Sequence, residues 1–289
     1  MTTSLAFHHV DVFTQRPYGG NSLAVFPDAR GVSARQMLQI TKELRHFEAI
    51  FLEPTDDANT VRARVFDLFE ELPFAGHPVI GAAAVLHHAA ERGERCDWLV
   101  VLPPKTVTIT TERTPSGYFG MLDQGAPEFI GALAGAEQVA RAFGLEAADL
   151  DAALPPEVIS TGLRYLVVPV APGALEKAHI AHDITGWLNT VGAQYAVLLD
   201  EASLEVRHWN NDGIIEDVAT GSAAGTVGAY RLRHGLARGD ETFVLHQGRF
   251  VGRPSTLRVR PEGTPERVTR VSVGGDVALV GRGVLEVLP

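Results

Sequence analysis

Two short stretches put chemistry-bearing side chains at the starts of helices built from small residues. In ELPFAGHPVIGAA, Gly76 lets a ligand approach the backbone, His77 can cap the helix or donate a hydrogen bond, and Pro78 carries the φ of a first helical position. In IIEDVATGSAAG, Glu216 and Asp217 precede Thr220, Gly221 and Ser222, so that two carboxyls, two hydroxyls and free amides share one loop. The start of a helix has unpaired N–H groups and a partial positive charge, and it can receive a carboxylate or enolate oxygen. Each stretch also has a plainer reading: a well-capped helix in the first, and Asp217 as the cap in the second.

A third candidate is Glu48, set in HFEAIFLEP among Phe47, Ile50, Phe51 and Leu52. Apolar surroundings raise a carboxyl pKa and suit the group to carrying a proton. Strand alternation taken alone favours the opposite outcome, with Glu48 turned to solvent while Phe47 and Ala49 face inward. Other chemistries find little support. The adjacent pairs His8–His9 and His87–His88 do not form a helical metal face, and His182–Asp183 reads as a helix start. Cys96 is the single cysteine, which leaves no intrachain disulfide, no cysteine metal site and no two-cysteine mechanism. No glycine-rich phosphate motif follows a strand. Neither a cysteine-bound metal nor a nucleotide cofactor has a visible home in these residues.

These residues need a framework to hold them. Strand-length runs closed by Gly, Pro or Asp recur along the chain, among them HHVDVF, SLAVFP, AIFLEP, VRARVFD and WLVVLPP. Ser33 to Arg45 reads as a helix capped by Ser33, with Met37, Leu38, Ile40 and Leu44 packed on a sheet. Ala75 to Gly93 and Thr220 to Gly235 read as two further helices, each ending at a glycine suited to a C-cap. Gly76, Ala82, Ala83 and Ala84 in one, and Ala223, Ala224, Gly225 and Gly228 in the other, allow backbone to approach from every side, so both belong inside a sheet-wrapped core. Their corresponding settings in the two halves suggest a faint internal duplication. At 289 residues and 45% hydrophobic content two lobes are expected, 1–124 and 125–271, with 272–289 able to complete the first. The net charge of −10 comes without any Lys/Arg block, which argues against nucleic acid as a partner. No window reaches the ~20 apolar residues of a membrane span and the amino-terminal stretch lacks a signal pattern, so a cytoplasmic protein with no membrane partner is expected.

VDVFTQRPYGGNSLAVF, HFEAIFLEP, ELPFAGHPVIGAA, EDVATGSAAG, HQGRFVGRPS and VGRGVLEV, in that order and over nearly the whole chain, resemble the phenazine-biosynthesis PhzF family; ELPFAGHP and ATGSAAG are the most specific of them. The resemblance implies an α+β, diaminopimelate epimerase-like fold of two pseudo-symmetric lobes, each a curved sheet wrapped around a central helix. It implies a cofactor-free isomerase with Glu48, His77 and Asp217 as catalytic groups, and Gly76, Thr220, Gly221 and Ser222 contacting a small-molecule substrate. The implied reaction is isomerisation of trans-2,3-dihydro-3-hydroxyanthranilate, in which Glu48 removes a ring proton, the π system shifts, and the proton returns at a distant carbon. A homodimer is implied as well.

Two departures bear on the substrate. Phe47 stands where the family usually has a serine, and the loop Arg207–Asp217 lacks the family's usual proline. Two alternatives stay open at this stage: isomerisation or C–C cleavage of another small unsaturated acid in secondary metabolism, and a non-catalytic protein of the same fold that binds a small anion.

Overall fold

The computed structural model describes residues 4–91, 93–103 and 105–289. The chain forms two compact units, Met1–Asp123 with Gly274–Pro289, and Gln124–Val273.

The first unit contains β1 (Leu5–Val12), β2 (Asn21–Phe26), α1 (Ala34–Leu44), β3 (Glu48–Pro54), β4 (Thr60–Asp67), β5 (Glu71–Leu72), α2 (Gly76–Ala90), β6 (Arg95–Val101), β7 (Thr106–Thr114) and most of β8 (Gly117–Gly125). The sheet order is β1-β2-β3-β4-β6-β7-β8, with β5 on β4. The later part of β16 (Arg267–Leu285) pairs antiparallel with β1, from Leu5 with Leu285 to Val12 with Val277. The sheet curls around α2, which touches β1, β2, β3, β6 and β7. This is why α2 has no polar face: Val79 to Val85 are all buried. α1 lies on the outside, where Met37 and Ile40 pack with Ala24, Phe26, Ala49 and Phe51. It begins with a capping box in which Ser33 and Gln36 satisfy each other's backbone N–H groups.

The second unit contains β9 (Glu128–Ala132), α3 (Ala136–Ala142), β10 (Glu157–Ser160), β11 (Arg164–Val170), α4 (Thr185–Thr190), β12 (Tyr195–Asp200), β13 (Glu205–Arg207), α5 (Gly221–Arg233), β14 (Phe243–Gln247), β15 (Ser255–Thr264) and the start of β16. Its strands run β16-β15-β14-β13-β12-β11-β10-β9. α5 is buried from Gly221 to Leu232 against β10, β11 and β15. A separate core joins α3 and α4 to the sheet through Val139, Phe143, Leu188 and Trp209. Each unit thus has a buried small-residue helix inside a sheet, with α1 outside the first and α3 and α4 outside the second.

Two details of the helices differ from the sequence reading. α2 ends at Ala90 with Glu91 as its left-handed cap at φ 48°, so Gly93 is not the capping residue. Gly93 is held further on, where its carbonyl meets His87 Nε2 at 2.9 Å. Pro78 is the third helical residue, still inside the first turn, where a missing N–H leaves no intrahelical bond unmade. Among the described residues, no helix is long and apolar enough to cross a membrane.

Candidate active site

In the first unit, Glu48 is the first residue of β3 and is 9% exposed. Alternation would have turned it to solvent, but residues Glu48–Leu52 are buried without a break. The strand is covered twice, by α1 over Ala49 and Phe51 and by α2 over the opposite face. Leu23, which aligns with Glu48 in the parallel β2–β3 pairing, reaches Gly81 of α2, so Glu48 faces that helix. There its Oε2 lies 3.5 Å from Nδ1 of His77, itself 4% exposed in the first turn of α2. Across the antiparallel pairing, Glu48 aligns with Asp67. A carboxyl and an imidazole shielded together from water are a pair between which a proton can be held or passed.

The second unit gathers its candidates at the start of α5. Asp217 Oδ2 accepts a hydrogen bond from Thr220 Oγ1 at 2.6 Å, and Oδ1 accepts from the Ala219 N–H at 3.4 Å. Asp217 therefore organises the turn and does not cap the helix. The Thr220 N–H donates to Gln247 Oε1 at 2.9 Å, while Gln247 Nε2 donates to the Asp217 carbonyl at 2.9 Å and to Thr220 Oγ1 at 3.0 Å. Ser222 shares a 2.8 Å hydrogen bond with the hydroxyl of Tyr165. Gln124 donates to the Gly221 carbonyl at 2.9 Å and accepts from Thr161 at 2.7 Å. His208 closes the cluster. Its Nδ1 donates to the Ala196 carbonyl at 2.8 Å, which leaves Nε2 as the acceptor nitrogen of the neutral ring, and the aromatic edges of Tyr165 and Tyr195 flank it. Burial holds the His208 pKa below the ordinary imidazole value, although Asp217 pulls the other way.

Both central helices start without a side-chain cap at Ala75 and Thr220, whereas the outer helix α1 has a full capping box. Their first-turn amides keep the capacity to bind an anion.

One expected member of the second cluster lies elsewhere. Glu216 turns from Asp217 to Arg207, which donates to it from Nε at 2.9 Å and from Nη2 at 2.6 Å. Arg207 also donates to the carbonyls of Leu175 and Ala178 and stacks between Trp209 and Phe250. A buried guanidinium needs such a partner, and that need decides where Glu216 goes. Conversely, Tyr165, His208 and Gln124 join the cluster although no motif in the sequence marks them, and Gln247 joins it too. Gln247 gave the one usable signal, a polar residue closing the strand-length run FVLHQ just before Gly248. Among the described residues, no group of three or more His, Cys, Asp or Glu side chains is arranged to hold a metal ion.

A family model described as phenazine biosynthesis-like protein matches residues 10–283. The trans-2,3-dihydro-3-hydroxyanthranilate isomerase of Pseudomonas chlororaphis is 30% identical over 291 aligned residues, covering 96% of this chain and 99% of that protein. A solved structure of a predicted epimerase from Pseudomonas aeruginosa is 47% identical at TM-score 0.91, covering 97% of this chain and 99% of its own. The crystal structure of a PhzF-family phenazine biosynthesis protein from Bacillus anthracis, 23% identical over 98% of this chain and 99% of that one, superposes at TM-score 0.85 and attests the fold. A probable proline racemase and a hydroxyproline epimerase, each 12% identical at TM-score 0.65, share the fold alone. The fold is diaminopimelate epimerase-like.

Proposed function

Because the chain belongs to the phenazine biosynthesis-like (PhzF) protein family and is an isomerase of it, we propose that it moves a proton on a small cyclic unsaturated amino acid such as trans-2,3-dihydro-3-hydroxyanthranilate, by acid/base chemistry and without a cofactor. The observation that carries this reading is the buried pair Glu48–His77, with 3.5 Å between carboxyl oxygen and ring nitrogen. In the proposed reaction the Glu48 carboxylate takes a proton from a ring carbon, and the electron pair of that C–H bond enters the π system. The double bonds shift, and the protonated carboxyl returns the proton to the far carbon, leaving an enol that tautomerises to the ketone. No net electrons or atoms are gained or lost. His77 holds the carboxyl in place and shares its proton.

In the same reading Asp217, Thr220, Gly221 and Ser222 bind the substrate's polar functions, and the backbone N–H groups of Gly76 and Ser222 donate to its carboxylate. A second reading keeps this chemistry and changes the substrate to one with a bulkier or more apolar ring. Phe47, half-buried beside Glu48 where a serine hydroxyl was expected, favours it.

Incubating the metal-free protein with the dihydro-hydroxyanthranilate in deuterated water, wild type beside Glu48→Gln, tests the reading. A loss of about 10²–10⁴-fold in kcat is expected for the variant, the range that a positioned acid/base supplies. Undiminished turnover in Glu48→Gln removes Glu48 as the base. A wild type that neither binds nor converts the compound removes the substrate and leaves the second reading to be screened with related unsaturated acids.

A further inference from the structure

Outside the groups used above, the first unit holds an unusual arrangement of two imidazoles on one hydroxyl. Ser22 Oγ is 2.9 Å from His9 Nε2 and 2.7 Å from His46 Nδ1. The two rings lie 4.7 Å apart by their centroids, and Asp11 Oδ1 is 3.8 Å from the same His9 Nε2. The order Asp–His–Ser invites comparison with a hydrolytic triad, but the geometry is wrong for one. A triad needs the carboxylate on one imidazole nitrogen and the serine on the other. Here both face Nε2.

The cluster also lies on the wrong face of the sheet for direct chemistry. Glu48 and its register partner Leu23 face α2. Ser22 is the residue before Leu23, so its side chain projects from the opposite face, as does its antiparallel partner Asp11. His46 follows Arg45, the left-handed residue (φ 57°) that ends α1, and precedes Glu48 by two positions. The three residues Arg45–Phe47 are thus the whole corner between the end of α1 and the start of β3. One end of that corner is fixed by the Arg45 N–H donating to the Thr41 carbonyl at 3.1 Å. The other end is Glu48.

We propose that the His9–Ser22–His46 bridge is a positioning latch for Glu48: it ties the corner that delivers the proton-carrying side chain to the neighbouring strand, from the face away from the reaction. Ser22 suits the task because its backbone neighbour Leu23 sets the register of Glu48 while its own side chain reaches two residues upstream. Where both rings are neutral, the hydroxyl gives its one proton to one ring and accepts the N–H of the other. That exchange sets complementary tautomers in the two rings. His9, through the paired strands β1 and β2, anchors the bridge to the sheet. A carboxyl that must reach a substrate carbon is sensitive to displacement, since a misplacement of about 1 Å can cost ~10²-fold in rate.

The latch rests on the reading of Glu48 as the acid/base, and two readouts keep the two apart. The first needs no substrate. The imidazole nitrogen resonances of His77 report the carboxyl 3.5 Å away, and Glu48→Gln supplies the spectrum of the broken pair. Ser22→Ala is expected to move the His77 signals part of the way toward that spectrum, Ser22→Thr to leave them in place because it keeps the hydroxyl, and His46→Leu to act like Ser22→Ala. The second readout is kinetic: Ser22→Ala and His46→Leu are expected to lower kcat about tenfold with KM within about twofold of wild type, with Ser22→Thr restoring the rate. His77 resonances unmoved in both Ser22→Ala and His46→Leu overturn the latch, as does a Ser22→Thr protein no better than Ser22→Ala. Full activity in Glu48→Gln overturns instead the role of Glu48, whatever the His77 spectrum shows.

Discussion

A single methyl group at position 81 tests how closely the sheet of the first unit is drawn around α2. A Cβ added to Gly81 would lie 2.5 Å from Leu23 Cδ2 and 3.1 Å from the Cγ2 atoms of Val10 and Val12, where carbon atoms normally rest at about 3.5–4.0 Å. All three neighbours are fully buried. The leucine tip can swing aside, but the two valines sit on a paired strand with stiff χ1 angles. Alanine is the better helix former by about 1 kcal/mol. Against that, forcing extra carbon into a packed core costs about 1–3 kcal/mol, and contact on two strands at once puts this site toward the upper part of that range. Gly81→Ala is therefore expected to lose about 1–2 kcal/mol, which lowers the melting temperature by about 2–8 °C for a unit of this size. Calorimetry reads the shift directly. Gly93→Ala is the control, because nothing lies within 4 Å of its added Cβ and its stability should hold. Since His77 is on the same helix, moving α2 away from β1 and β2 should also loosen its contact with Glu48. A Gly81→Ala protein as stable as wild type would refute the close packing on which α2's position depends.

Two further outcomes concern the second unit. Arg207→Ala should cost about 3–5 kcal/mol in urea unfolding, because it leaves the Glu216 carboxylate buried without its cation; a loss under about 1 kcal/mol would show that water replaces the guanidinium. His208 has a pKa depressed by burial, so below the ordinary value of about 6.5 the unfolded chain takes up a proton that the folded chain refuses. Stability should therefore fall as pH drops through and below that value, and His208→Asn, which retains a donor for the Ala196 carbonyl, should flatten the slope in that window.

What could be read from the residues alone was whatever is settled within a few positions along the chain. Ser33 with Gln36 announces the start of α1, and the small residues after Gly76 and Gly221 announce helices that tolerate neighbours on all sides. What could not be read depends on partners far away in sequence. The burial of Glu48 follows from α1 on one side of β3 and α2 on the other, and no alternation pattern records a second covering layer. Glu216 was grouped with Asp217 by adjacency, yet the pull of a guanidinium nine residues earlier outweighed it. Gln247 meets Thr220 across 27 residues, so only a polar residue closing the strand-length run FVLHQ marks it in the sequence. The bridge at Ser22 joins two strands and the corner between α1 and β3, places that no local pattern connects.

The pairing of β1 with the far end of β16 has a consequence for how the chain matures. Leu5 leaves the ribosome early but must wait for Leu285 before its edge is covered, while Gln124–Val273 forms an unbroken run that can close as soon as it has emerged. The first unit is therefore completed only by chain that follows the whole of the second unit in sequence. Until that pairing forms, the first unit carries an open strand edge, the kind of surface that invites chaperones and, at high expression, inclusion bodies.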